Sequence, residues 1–472
     1  MQKNQIAEVE ITGTTTEGYG VGRVENMAVF VPLAAEGDRL EIKIIKVAKN
    51  YAVGRIEKVI SASPARVEAD CSVFNYCGGC VFRHISYEEE LRIKHQRVAD
   101  AMARIGGFSD LEIAPIVQND SVDCYRNKAQ FPIGTGADGK LQLGFYATHS
   151  HRLVPCEECK LHPAEFVRIA ELFIKWANEQ GLTAYDEEKN SGRLRHLCIR
   201  RAVETDEIMV CIVVNAGGIP NEQEIVKHLI ENIPQIKSII INVNREKTNV
   251  IYGRKCRTVY GDDYITDKLC GLNFRISPLS FYQVNHDQAQ KLYGIAKQEA
   301  KLSGDEVLLD LYCGTGTIGL SMANNVKKLI GVEIVEQAVE DAKRNAEQNG
   351  ITNAEFLCAD ATQAAQVLVK RGEKPDIVVV DPPRRGCDEA VLKTIATQMQ
   401  PERIVYISCD PATLARDLKK LSGYGYSVGP VTPVDMFSRT THVESVVCLS
   451  REKADDYIRI SVQTKDLKTK AN

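Results

Sequence analysis

Between residues 285 and 450, short apolar runs alternate with helix-like stretches, and this alternation restricts the fold more than any other feature. The runs at 306–312, 328–334, 354–358, 376–381 and 403–408 read as strands. A helix follows the first run, and helices are expected over 335–349 and 411–420. Strand alternating with helix predicts a doubly wound parallel sheet, whose ligands bind beyond the carboxyl ends of the strands.

The first run continues as Val307-Leu-Leu-Asp-Leu-Tyr-Cys-Gly-Thr-Gly-Thr-Ile-Gly319, a strand entering G-x-G-x-x-G and a helix. Glycines there permit a tight turn and close approach of a ligand. Glu333 ends the next run, where a carboxylate can accept hydrogen bonds from both ribose hydroxyls of an adenosine. That geometry serves NAD and S-adenosylmethionine alike.

Asp376-Ile-Val-Val-Val-Asp-Pro-Pro-Arg-Arg-Gly386 ends the fourth run in a proline-fixed loop, with Asp381 at the crevice. Cys409, in Arg403-Ile-Val-Tyr-Ile-Ser-Cys-Asp-Pro-Ala-Thr413, ends the fifth run just before a helix with Pro411 in its first turn. The helix dipole is expected to favour the Cys409 thiolate. If the fourth and fifth strands are neighbours, Asp381 and Cys409 stand about 5 Å apart across the sheet. Glu444, in Thr441-His-Val-Glu-Ser-Val-Val-Cys-Leu449, precedes another apolar strand. A thiolate nucleophile and a separate carboxylate base suit an enzyme that adds covalently to its substrate and then removes a proton.

Residues 1–60 read as about five short strands broken by glycine turns, a small barrel of the oligonucleotide-binding type. Lys43, Lys46, Lys49 and Arg55 would give it a basic face. Residues 120–270 read as β-rich. The stretches Cys124-Tyr-Arg-Asn-Lys-Ala-Gln-Phe131 and Ser191-Gly-Arg-Leu-Arg-His-Leu-Cys-Ile-Arg-Arg201 mix basic, aromatic and amide groups that can bind phosphates and stack bases. A net charge of −4 decides nothing about nucleic acid, because a local basic face can coexist with an acidic surface. No stretch reaches the ~18 apolar residues of a membrane span, and Met1-Gln-Lys-Asn-Gln lacks an apolar signal core. A cytoplasmic protein is expected.

Fifteen cysteines without a signal peptide argue against a secreted disulfide framework. Cys198, Cys211, Cys256, Cys270, Cys358 and Cys448 read as buried core residues. Cys71, Cys77 and Cys80 do not: three thiols in ten residues beside Gly78 and Gly79 suit a metal centre. All-thiolate ligation needs a fourth cysteine, and Cys156 and Cys159 are the candidates. Structural zinc, an iron–sulfur cluster and a redox pair at Cys77 and Cys80 remain open on spacing.

The combination of Ser280-Phe-Tyr-Gln-Val-Asn285, Asp310-Leu-Tyr-Cys-Gly-Thr-Gly316, Asp381-Pro-Pro-Arg-Arg-Gly386, Ser408-Cys-Asp-Pro411 and His442-Val-Glu444 resembles bacterial RNA 5-methyluridine methyltransferases. That family methylates 23S ribosomal RNA or the T-loop uridine of tRNA. Gly18-Tyr-Gly-Val-Gly-Arg23 and Val29-Phe-Val-Pro32 resemble a TRAM domain. The resemblance extends over nearly all of residues 5–450. It implies a TRAM barrel at 1–60, a central iron–sulfur and RNA-binding domain at 61–276, and a Rossmann-like class I methyltransferase domain at 277–450. Residues 451–472 are an appendage, and a helix near 87–105 is expected against the catalytic domain.

The resemblance further implies an S-adenosylmethionine site lined by Gln283, Tyr312, Glu333 and Asp381, together with Gly314 of the glycine motif. Cys409 becomes the nucleophile and Glu444 the base. A 4Fe-4S cluster would be held by Cys71, Cys77, Cys80 and Cys159, the last preferred to Cys156 because Cys159-Lys-Leu-His-Pro163 resembles the family's final ligand segment. A monomer acting on RNA is implied, 23S rRNA ahead of tRNA. The other readings are a non-catalytic RNA-binding assembly factor and an NAD-dependent oxidoreductase.

Overall fold

The computed structural model describes residues 1–452. The appendage expected at 451–472 lies, from residue 453 on, outside them. Five strands, β1 (Ile6–Thr14), β2 (Gly20–Val24), β3 (Met27–Val31), β4 (Arg39–Val47) and β5 (Tyr51–Ser61), close a barrel in the order β1-β2-β3-β5-β4. Alternation builds it: Leu40, Ile42 and Ile44 of β4 point inward onto Val9, Ile11, Val29 and Val31, while their neighbours face out. Lys46 and Arg55 are exposed on its outside, and Lys46 lies over the Tyr51 ring at 5.9 Å.

Helix α1 (Tyr87–Ala101) follows, N-capped by Ser86, whose side chain accepts from Glu89 N–H. Its Val98, Ala101 and the following Met102 do not join the central domain. They pack with Leu309, Val378, Tyr406, Leu414 and Leu418 of the C-terminal sheet and its helices.

The middle of the chain forms a seven-stranded sheet from β6 (Lys128–Thr135), β7 (Leu141–Tyr146), β8 (Leu153–Pro155), β9 (Leu194–Arg201), β10 (Ile208–Val214), β11 (Ile236–Val243) and β12 (Lys255–Gly261). The order is β12-β11-β10-β9-β6-β7-β8. The β-rich expectation for 120–270 misses two helices here, α2 (Ala164–Glu179) and α3 (Glu222–Asn232). The signal was present: Phe166, Ile169, Ala170, Phe173, Trp176 and Ala177 recur at helical spacing, and all are buried against Leu197, Ile199, Val210 and Ile212. The opposite face of this sheet, through Cys198, Met209, Cys211 and Val213, joins the core of the C-terminal domain.

A hairpin of β13 (Ile265–Leu269) and β14 (Leu272–Ile276) and helix α4 (His286–Ala300) lead into the last sheet. Its elements are β15 (Val307–Leu311), α5 (Thr317–Met322), β16 (Lys328–Glu333), α6 (Glu336–Gln348), β17 (Ala354–Cys358), α7 (Ala361–Lys370), β18 (Ile377–Val380), α8 (Glu389–Thr394), β19 (Arg403–Ser408), α9 (Pro411–Gly423), β20 (Tyr426–Val434) and β21 (Glu444–Arg451). The strand order is β17-β16-β15-β18-β19-β21-β20. The pairs from β17 to β19 are parallel, as the alternation predicts, and β21 runs antiparallel between β19 and β20. The strand order, which runs outward from β15 to β17 on one side, restarts on the other side at β18, so the crevice opens between β15 and β18.

Of the cysteines expected in the core, Cys198, Cys211 and Cys448 are buried and Cys270 is half-buried, but Cys256 and Cys358 are exposed because they end up on solvent-facing strand positions. No described helix is long and apolar enough to cross a membrane.

The packing of α1 generates one expectation. Met102→Ala should cost about 2–5 kcal/mol, the usual range for emptying a buried methionine site. Amide exchange should quicken in β18 and β19 while β9 to β11 keep their protection. The opposite pattern would place α1 in the wrong core.

Candidate active site

The crevice lies beyond the carboxyl ends of β15, β16 and β18. Gly314 has φ +56°, and a Cβ built on it would meet nothing within 4 Å, so the loop is glycine for its conformation and leaves open space in front. Tyr312 has φ +67°, a left-handed conformation that costs an aromatic residue on the order of 1–3 kcal/mol and is concentrated at ligand loops. Glu333 Oε2 accepts from Gly314 N (3.1 Å), and Oε1 accepts from Ile334 N (2.8 Å) and Val335 N (2.9 Å). The carboxylate is therefore held in one orientation at the glycine turn. Ile334 and Val335 beside it are 64% and 54% exposed, an apolar shelf of the kind a nucleobase covers.

Two carboxyls face this space without a cationic partner among the described residues. Asp310 Oδ2 accepts from Gly319 N (2.9 Å), but its buried Oδ1 has no partner. Burial, then Asp381 and Glu333, push Asp310 up to about 8. Burial pushes Asp381 up to about 7. Gln283 is buried, its backbone carbonyl accepts from Asn127 Nδ2 (2.9 Å), and its side-chain amide makes no hydrogen bond to another described residue. A carboxylate fixed at the glycine turn, an apolar shelf and unneutralised buried carboxyls together fit an adenosine that carries a positive charge. Asp310 was not among the residues expected from sequence, because an aspartate inside an apolar strand carries no signal of its own.

The strand ladder places the reacting candidates. The ladder of β19 and β21 ends at Ser408 and Ser445, and Cys409 and Glu444 are the next residue on each segment. They are near enough that Glu444 is the foremost charge acting on the Cys409 thiol. Asp381 is less close than expected. β18 and β19 are neighbours, but Val380 pairs with Tyr406, which sets Asp381 level with Ile407, about 6.6 Å along the strand from Cys409.

The thiolate expectation also needs correction. Helix α9 does begin beside Cys409, yet Asp410 occupies its N-terminus: Oδ1 accepts from Ala412 N (3.0 Å) and Thr413 N (2.9 Å). Burial, Glu444 and Asp381 push the Cys409 thiol up to about 11. Burial and Asp381 raise Glu444 to about 8, against the opposing pull of Arg384. Cys409, Glu444 and Asp381 side chains make no hydrogen bonds to other described residues, so their reactive atoms are free for a ligand.

The expected RNA-binding arginines are largely spent inside the protein. Arg195 donates to the carbonyls of Asn244, Glu246 and Thr248 and stacks on Tyr185. Arg200, buried, donates to Pro278 O (3.2 Å) and Ser280 O (2.6 Å), holding the segment before Gln283. Arg201 pairs with Asp206. Tyr125 and Phe131 of the other stretch point into the interior, the first donating to Ser438 O (2.9 Å). The surface that remains near the crevice is different: Phe281 is 64% exposed, and Arg384 Nη2 donates to His442 Nε2 (3.4 Å). Burial and the adjacent Arg384 and Arg97 hold His442 down to about 4, so its ring is neutral.

Cys71, Cys77, Cys80, Cys156 and Cys159 line a separate cavity of about 300 Å³ with Arg83, Arg126, Lys128 and His162. Among the described residues, no three metal-ligating side chains converge as they would on a single ion. The donor set is soft; Arg83 is paired with Asp70 and Asp123, whereas Arg126 and Lys128 have no carboxylate partner among the described residues and suit an anionic occupant. His162 Nδ1 lies 3.1 Å from Cys159 Sγ, and its Nε2 lies 3.2 Å from Lys128 O.

Residues 223–452 match the family model described as tRNA (Uracil-5-)-methyltransferase, and residues 2–56 match the TRAM domain. An uncharacterised RNA methyltransferase of Halalkalibacterium halodurans is 45% identical over 95% of this chain and 98% of its own. One from Clostridium tetani is 42% identical over 95% and 97%. The crystal structure of the Pyrococcus abyssi tRNA (uracil-54, C5)-methyltransferase with S-adenosyl-L-homocysteine superposes with a TM-score of 0.75 at 29% identity, covering 94% of this chain and 99% of that one. The chain therefore belongs to the S-adenosylmethionine-dependent RNA (uracil-5-)-methyltransferases, with a TRAM barrel at its N-terminus.

Proposed function

We propose that the protein methylates C5 of a uridine in folded RNA through a covalent adduct between Cys409 and C6. The observation that supports this reading is the end of the β19–β21 ladder at Ser408 and Ser445, just beyond which Cys409 and Glu444 follow on neighbouring segments and Glu444 is the foremost charge acting on the thiol. C5 of uracil is a weak nucleophile. Addition of Cys409 Sγ to C6 moves the C5–C6 π pair onto the uracil enolate and makes C5 nucleophilic. S-adenosylmethionine, when bound, supplies the methyl group and a positive charge. Glu444 then takes the C5 proton, the C5–C6 double bond re-forms, and the C6–S bond breaks with its electrons returning to sulfur.

Glu333 is the ribose acceptor in this reading, Gly314 and Tyr312 shape the turn around the cofactor, and Gln283 and Asp381 border both ligands. A thiol held up near 11 needs the negative field of Glu444 and Asp381 offset before it ionises; a cationic cofactor would do that, and the same positive charge would favour the ionised Glu444 that removal of the C5 proton requires. The uracil must leave its stack to present both ring face and edge, so base flipping is expected.

The RNA class rests on resemblance. The sequence resemblance puts 23S rRNA first; the Pyrococcus relative, named for uracil-54 of tRNA and superposing over 94% of this chain, supports tRNA. Mapping 5-methyluridine in both RNAs from a deletion strain decides between them. For the cysteine cavity we propose a 4Fe-4S cluster on Cys71, Cys77, Cys80 and Cys159, with the cations of Arg126 and Lys128 offsetting its charge. Its role is structural, since methyl transfer needs no electron. The central domain at 61–276, with α1 seated on the catalytic core, is the unit this centre braces.

Cys409→Ala should abolish methylation and leave cofactor binding intact by calorimetry. Glu444→Gln should accumulate a denaturation-resistant protein–RNA complex that contains the new methyl group, because elimination lacks its base. Mass spectrometry showing no such complex, with turnover near normal, would remove Glu444 from the mechanism.

Glu444 also sets a pH dependence. Its folded value, about 8, lies above the ordinary 4.5, so the folded cofactor-free protein holds this proton more tightly than the unfolded chain does. The stability it contributes is present below about pH 4.5 and is lost as pH rises through 8. Glu444→Gln should therefore melt above the wild type at pH 8.5, with the gap closing toward pH 4.5. Parallel melting curves at both pH values would show that Glu444 is not held protonated.

Anaerobically purified protein should be brown and carry about four irons per chain. Cys159→Ser should lose iron, whereas Cys156→Ser should keep it. The reverse pattern moves the fourth ligand to Cys156, and one zinc without iron overturns the cluster.

A further inference from the structure

Cys409 and Glu444 sit on separate segments, and one side chain from a third element reaches both. Arg97, on α1, donates from Nη1 to the carbonyl of Thr441 (2.6 Å), three residues before Glu444. Its Nη2 stands 3.9 Å from Asp410 Oδ2, the residue after Cys409. Asp410 uses its other oxygen to cap α9, so the guanidinium braces the start of that helix as well.

The rest of the same helix face holds the remainder of the connection between β20 and β21. Lys94 and Glu90, one and two turns earlier, are fully buried. Lys94 Nζ donates to Glu90 Oε1 (2.7 Å), Asp435 Oδ1 (2.5 Å) and Phe437 O (3.1 Å), which uses all three protons. Glu90 Oε1 also accepts from Arg439 N (2.7 Å). The barrel closes on Thr441 from outside: Gly18 has φ +86°, and a Cβ there would lie 2.3 Å from Val81 Cγ1 and 3.1 Å from Thr441 Cγ2. With Glu90 and Lys94 anchoring residues 435–439, Arg97 is the only contact of this face with residue 441 among the described hydrogen bonds.

We infer that Arg97 is a positioning residue for the reaction, setting the separation of Cys409 and Glu444 by tying both of their segments to α1. The inference rests on the reading of those two residues as nucleophile and base. Arg97 itself touches neither reacting atom, and its side chain is 22% exposed, so its removal leaves no buried unpaired charge of the kind that Lys94 would.

The test uses the full chain with 23S rRNA and tRNA transcripts, made either with uridine or with 5-fluorouridine. Fluorine at C5 blocks proton removal, so adduct on the fluorinated RNA reports Cys409 alone; turnover on natural RNA needs Glu444 as well. Arg97→Ala should lower kcat about 10²-fold, the scale of an ångström-sized misplacement, with the KM for RNA and the affinity for S-adenosylmethionine essentially unchanged. Arg97→Lys, which can still donate to Thr441 O but not bridge to Asp410, should recover part of that loss. Unchanged kcat in Arg97→Ala overturns the inference, as does a loss of kcat matched by equal loss of cofactor affinity and of the melting transition. If Arg97→Ala does not fold, Arg97→Lys decides by the same criterion: reduced kcat at constant KM supports positioning and wild-type kcat refutes it. Failure of the wild type to form adduct on either fluorinated RNA refutes the nucleophile assignment instead, which separates the two failures.

Discussion

The site depends on β21 running antiparallel beside β19. Four parallel pairings can bring only the carboxyl ends of strands to the crevice, and a residue opening the next strand would lie at the far end of the sheet. Reversing β21 brings its first residue, Glu444, to the edge where Cys409 follows directly on the end of β19. A one-residue slip in that ladder would turn Glu444 to the other face. The buried side chains of Val446 and Val447, one on each face of the sheet and in different core clusters, resist such a slip.

The crevice is otherwise defined by charge that the protein leaves uncompensated. Asp381 acts on both Asp310 and Glu444, none of the three forms a salt bridge to a described cation, and burial raises all three. A folded protein that keeps such groups gives up stability, since the charged forms are disfavoured. A positively charged ligand reverses the balance, and with it the obstacle to ionising Cys409. The helix that starts beside the thiol contributes little to that ionisation, because Asp410 consumes its first N–H groups. Its use is mechanical: it fixes the backbone that carries the sulfur.

The N-terminal elements return to this same place. Val81 N (2.7 Å) and Phe82 N (3.3 Å), immediately after Cys80, donate to Arg439 O, and Gly18 of the barrel rests on Thr441. The cysteine cavity, the barrel and α1 therefore converge on one connection of the catalytic domain. Burying Lys94 between Glu90 and Asp435 would be costly if any partner were missing; with every donor used it specifies a single seating for the helix.

Local pattern alone determined the parallel sheet, the barrel, the glycine turn and the identity of Cys409, Glu333 and Asp381 as residues at strand ends. Those are features of period and punctuation, which neighbouring residues carry. Helix α2 carried its signal in its apolar spacing, although the β-rich reading of 120–270 passed over it. What tertiary structure decided is everything that depends on which chemical partner arrives from far away in the chain. Arg195 and Arg200 look like phosphate ligands until the carbonyls they bind are in place. Glu90 and Lys94 look like solvated helix charges until Asp435 and Arg439 reach them across more than 300 residues. The meeting of Cys409 and Glu444 at the end of the β19–β21 ladder, the two-residue offset of Asp381 and the raised thiol all follow from strand pairing and desolvation, and neither is a property of any short stretch of sequence.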